Sequence, residues 1–133
     1  MTGRKPDPPS EYWMRLATED LAAATVCLGL DGAQPRHSVG FAVQAAEKAL
    51  KAAVAATGVE PPWTHDLVSL AHRSTAIVRL TVSEHDLRRL SDAHEQSRYP
   101  ASPAELFDEE EALELTQAAT LIVAELLSAL APA

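Results

Sequence analysis

The segment from Arg36 to Thr57 constrains this chain more than any other part of it. Val39, Val43, Ala46, Leu50 and Ala53 recur at steps of three and four residues, the spacing of one helix face. Ala42, Ala45, Ala49, Ala52 and Ala56 widen that face with side chains small enough for close helix approach. The helix starts at Arg36 or Ser38, and Gly58 stops it. Glu47 and Lys51 stand four apart in the favourable order, a modest support. So wide an apolar surface predicts more than one neighbouring helix, and it predicts a homodimer.

The rest of the chain supplies the neighbours. Ser10 reads as the N-cap of a first helix over 11–28, ended by Gly29 and Asp31-Gly32. Trp13, Leu16, Ala17, Leu21, Ala24 and Leu28 make its buried stripe. Pro61-Pro62 excludes helix interior, and Thr64 reads as the cap of a short helix through Leu67 and Leu70. Residues 73–82 read as loop or a further helical turn. Ile77, Val78 and Val82 are β-branched there, but no second strand exists to pair with them. Thr81 or Ser83 caps a fourth helix that ends near Ser97, before Tyr99-Pro100. Ser102, Pro103 and Glu105 read as the start of the last helix, whose stripe is Leu115, Ala119, Ile122, Leu126 and Leu130. The expectation is all-α: an antiparallel up-and-down four-helix bundle with an additional short helix. One domain spans 10–131 behind a disordered lead-in over 1–9.

Composition narrows the function classes. The 133 residues carry a net charge of -8. Seven acidic and no basic residues fall after position 100, so the first hundred residues are nearly balanced. An acidic whole is a poor non-specific nucleic-acid binder, because that affinity comes from neutralising phosphates. The one cysteine, Cys27, excludes an internal disulfide and a thiolate zinc cluster, and it reads as a buried inert thiol. His37, His65, His72, His85 and His94 form no metal pair on one helix, so neither metal nor cofactor is expected. No apolar run follows Arg4 and Lys5, and no stretch approaches the ~20 apolar residues of a membrane span. The expected location is the cytoplasm, with no membrane partner.

One polar residue interrupts the first stripe. Asp20 lies seven after Trp13 and four after Leu16, so it points where they point. Burying an unpaired carboxylate is costly, which calls for a partner.

Several segments in order carry a resemblance. Trp13 with Asp20-Leu21 opens it, and the run from Phe41 to Ala52, containing "QAAEKALKA", continues it. Thr64-His65-Asp66-Leu67 and Ser97-Arg98-Tyr99-Pro100 complete it. Over roughly 13–124 the chain resembles the HEPN domain, in the branch often encoded beside minimal nucleotidyltransferases. The resemblance implies a helical bundle, dimerisation, a nucleotidyltransferase partner in a toxin–antitoxin-like pair, and a link to nucleotide binding or RNA cleavage. It also places Lys48 near the bundle interior, as the first choice of partner for Asp20. Many HEPN ribonucleases use an Arg followed four to six residues later by His, without metal. Here no His follows Arg98. The spacing recurs at Arg79/His85 and at Arg88 or Arg89 with His94, but Arg89 and His94 are about 500° apart on an ideal helix. That departure favours a binding module over a metal-independent endoribonuclease. A third reading is a ligand-free helical protein-interaction module. Arg98 offers a planar fork for phosphate, and Tyr99 a ring for stacking on a base. His65, Asp66 and Lys48 complete the expected binding set, with Arg89 and His94 as the fallback catalytic pair.

Overall fold

The computed structural model describes residues 8–102 and 106–132. Five helices follow in order: α1 (Pro9–Leu28), α2 (Pro35–Ala56), α3 (Leu67–Arg73), α4 (Glu84–Gln96) and α5 (Glu109–Leu130). Four of them make an antiparallel bundle, α3 is the short addition, and no strand occurs among the described residues.

α2 is the central element. It packs most extensively on α1, then on α5, and also on α3 and α4. Val39, Val43, Ala46, Leu50 and Ala53 are buried, and so are Ala42, Ala45, Ala49 and Ala52. Its wide apolar surface is therefore used up inside one chain, which removes the basis on which that surface implied a second copy. Of the exposed large apolar side chains, Phe41 is on α2 and the others sit elsewhere, among them Val26 on α1 and Leu113, Leu121 and Leu127 on α5.

The first stripe differs from expectation. Met14, Ala17 and Ala24 are buried, Trp13 and Leu21 are only partly so, and Leu28 is exposed near the helix end. Cys27 is half-buried rather than buried. The α5 stripe matches: Leu115, Ala119, Ile122 and Leu126 are all in the core. By length and composition alone α5 could cross a membrane, which corrects the reading that no stretch comes near that size. Its apolar stripe is already packed against the other helices.

Helix starts differ from expectation, at α3 and α5 because a competing hydrogen-bonding side chain lies nearby. Pro8 rather than Ser10 precedes α1, with Pro9 in the first turn. Thr64 does not cap α3. Its Oγ1 accepts from Asp66 N, and Asp66 Oδ1 accepts from Val68 N and Ser69 N as the true cap. Ser83 caps α4, while Thr81 ties its loop to α5 through two bonds to the Glu125 carboxylate. α5 starts at Glu109, not after Ser102, because Asp108 and Glu111 form a reciprocal capping box. Pro103 and Glu105 lie outside the described residues, as does most of the expected lead-in.

Residues 74–83 are loop, yet Ile77, Val78 and Val82 pack on the core, which accounts for their β-branched side chains without a strand. Two buried hydroxyls pin the helices. Ser38 Oγ lies 2.9 Å from the Ala24 carbonyl and 3.0 Å from Thr116 Oγ1, joining α1, α2 and α5.

Candidate functional site

Asp20 has the partner chosen for it. Lys48 Nζ lies 2.6 Å from Asp20 Oδ2, and both side chains keep some contact with water. The pair joins α1 to α2. Its Lys48 ammonium is thereby held away from the other expected binding residues.

Those residues gather where α2, the loop before α3, and the end of α4 meet. Glu47 lies four residues after Val43 and three before Leu50, on the apolar face of α2. It is buried with Lys51, whose Nζ stands 3.1 Å from Glu47 Oε2. The ammonium also sits 5.5 Å from the centre of the Trp13 ring. The other carboxylate oxygen, Oε1, is 2.7 Å from His65 Nδ1. The His65 ring stacks on His94 of α4 with centroids 3.9 Å apart. Beyond it, Arg98 Nη1 approaches His94 Nε2 at 3.4 Å. One connected chain of polar groups thus runs from Trp13 to Arg98.

Local structure holds these groups in place. Asp66 caps α3 and so fixes the backbone next to His65. Ser91 Oγ accepts from Leu67 N and donates to the His65 carbonyl, which fastens the loop to α4. The backbone amides of Arg98 and Tyr99 both donate to the Glu95 carbonyl and turn the chain out of α4. Arg36, not Arg98, reaches the Ser97 carbonyl at the helix end, so the Arg98 guanidinium remains exposed beside the cleft.

An open cleft of about 730 Å³ lies over this cluster. His65, Asp66, Ser91, His94 and Tyr99 line it, with Asp92 and Glu95. Tyr99 is 76% exposed, its ring unspent on core packing. Burial chiefly, then His65 and Arg98, holds the His94 pKa below the ordinary 6.5, against the opposing pull of Glu47 and Glu95. That direction favours the neutral ring. Its Nδ1 is buried and has no hydrogen-bond partner.

Arg89 takes no part. Its Nη1 bonds Glu114 at 3.1 Å and Asp86 at 3.5 Å, on the α5 side of α4, while His94 faces α2 and His65. The fallback catalytic pair is thus separated by α4 itself. Glu47 and Lys51 are the site residues that the sequence reading did not reveal, their spacing having suggested only a modest support for the helix. The signal was there: Glu47 interrupts an apolar stripe just as Asp20 does.

No curated protein matches the chain. A solved structure, that of TT1696 from Thermus thermophilus, is similar to it at 28% identity and a TM-score of 0.73, covering 92% of this chain and 99% of that one. The family model described as HEPN domain matches residues 10–129. With nearly its whole bundle inside that match, the chain belongs to the HEPN domain family.

Proposed function

We propose that this chain is a nucleotide-binding HEPN module. The observation that carries this reading is the exposed Tyr99 ring at the cleft, next to the exposed Arg98 guanidinium. Arg pairs with phosphate in a fork geometry, and a Tyr ring stacks on any base. His65 supplies a further polar edge to a sugar or base. A single nucleotide suits the cleft better than a long RNA. Asp66, Asp92 and Glu95 surround it, and a net charge of -8 repels an extended phosphate chain.

Calorimetric titration with the ribonucleoside mono- and triphosphates, in EDTA, tests this. At least one is expected to bind saturably. Arg98→Ala and Tyr99→Ala are each expected to weaken it by roughly 10-fold or more, the worth of one charge-assisted hydrogen bond or one stacked base. No binding by any nucleotide would overturn the reading.

The contact between Arg98 and His94 favours one alternative, metal-independent RNA cleavage, since the two side chains could share phosphate stabilisation and proton transfer. RNA cleavage in EDTA that is lost in both Arg98→Ala and His94→Ala would replace the binding reading with this one.

The module acts in the cytoplasm as a homodimer serving a partner nucleotidyltransferase, as the family resemblance suggests. The exposed Leu113, Leu121 and Leu127 of α5 support the dimer. Light scattering at micromolar concentration is expected to give twice the chain mass. A monomer there would exclude it.

A further inference from the structure

We propose that Glu47, His65 and His94 bind a divalent transition-metal cation of the zinc class. The inference is independent of the nucleotide reading. One ligand atom from each residue lies within 4.8 Å of the other two. A tetrahedral zinc site, with bonds of about 2.0–2.1 Å, sets its ligands roughly 3.4 Å apart. An imidazole binds a metal in its own ring plane, and the His65 and His94 rings are stacked with centroids 3.9 Å apart, so closure takes rotation of one ring out of the stack as well as a shift on the order of 1 Å. His65 can supply both, since it stands on a loop with its side chain 58% exposed.

Each ligand is prepared in a different way. Lys51 holds one oxygen of Glu47 and leaves the other aimed at His65. Metal-bound carboxylates have an outer partner of this kind. His94 Nδ1 is buried without any hydrogen-bond partner, an expensive condition for a polar atom that a bound cation relieves. With the metal on Nδ1, the ring hydrogen sits on Nε2, and the exposed Arg98 side chain turns to solvent. At His65 the cation takes the place of the hydrogen bond between Nδ1 and Glu47, and the ring hydrogen moves to Nε2.

The donor set selects the metal. Two imidazoles and a carboxylate suit zinc, cobalt or nickel, whereas magnesium and calcium require oxygen ligands. Three protein ligands leave a coordination position open, and the cleft gives water or a substrate access to it. Asp92 and Glu95 on the same cleft add a negative potential that favours a cation.

The test uses the untagged full chain, stripped with EDTA and dialysed free of it. Cobalt(II) is titrated while its visible absorption is followed, then zinc is added as competitor. One equivalent of cobalt is expected to bind, to be displaced by zinc, and to raise the thermal midpoint by mass action. His65→Ala and His94→Ala are each expected to weaken binding by more than about 100-fold, beyond the roughly 10–100-fold cost of losing an outer-shell partner. His72→Ala, on the exposed surface of α3, is expected to change nothing. Circular dichroism checks that each variant folds. If His94→Ala does not fold, the exposed His65→Ala decides alone. Absence of saturable cobalt binding, or binding unchanged in His65→Ala, would overturn the site. No nucleotide is present in this titration and no metal in the nucleotide titrations, so either proposal can fail alone.

Discussion

Leu50→Ala is expected to destabilise the fold by about 2–5 kcal/mol, the range for emptying a well-packed core position. Leu50 is fully buried on α2, the helix that touches all four others. Neighbouring helices are held apart by their own packing, so they collapse into the space only in part, and the cavity term adds to the lost transfer energy. The Ala-rich surroundings make this worse. Ala46, Ala49 and Ala53 have no flexible side chain to swing into the gap. A domain of this size is stable by only about 5–15 kcal/mol, so the variant would lose a large share of its total. The thermal midpoint should fall by on the order of 10 °C. The comparison variant is Val26→Ala, at an exposed position of α1, which should change stability by about 0.5 kcal/mol or less. Urea unfolding separates the cases: a lower midpoint at unchanged slope means lost stability with the same buried surface. A loss under about 1 kcal/mol at Leu50 would contradict the central place of α2.

Such core positions were legible in the sequence because periodicity is a local signal. Val39, Val43, Leu50, Leu115, Ile122 and Leu126 announce their faces by spacing alone, and all are buried. Helix starts were less legible, because several hydroxyls and carboxylates compete for the same free amides. Thr64 and Asp66 are both good caps, and only the fold decides that Thr64 serves the turn while Asp66 serves the helix. The Asp20–Lys48 pair could be anticipated because a lone carboxylate on an apolar stripe demands a partner. The same logic applies to Glu47, but the lysine four residues on offered a ready explanation as helix support and hid its burial. The contact between Glu47, His65 and His94 had no sequence signature. These residues come from three separate elements, and only packing of α2 against α3 and α4 brings them together.

Glu47→Ala is expected to cost about 3–5 kcal/mol, the penalty for leaving one member of a buried ion pair alone. The side chains of Glu47 and Lys51 are only 6% and 8% exposed. Without the carboxylate, the Lys51 ammonium keeps the face of the Trp13 ring at 5.5 Å, a weaker interaction than a charged acceptor. His65 loses its 2.7 Å partner in the same step. Lys51→Met is expected to cost less, because Glu47 remains hydrogen-bonded to His65 and the methionine refills the volume. The double variant Glu47→Leu/Lys51→Met removes both charges and their desolvation cost together. It should be no less stable than the parent, and up to about 4 kcal/mol more stable. Denaturant unfolding of Glu47→Leu, Lys51→Met and their double variant then gives a coupling energy, since the two side chains touch and their effects cannot add. If the single variants each cost less than about 1 kcal/mol, the pair behaves as a solvated surface bridge and the buried description fails. If the double variant recovers its stability, Glu47 does not serve the fold, and its place under the cleft beside His65 and His94 is left to be explained by binding.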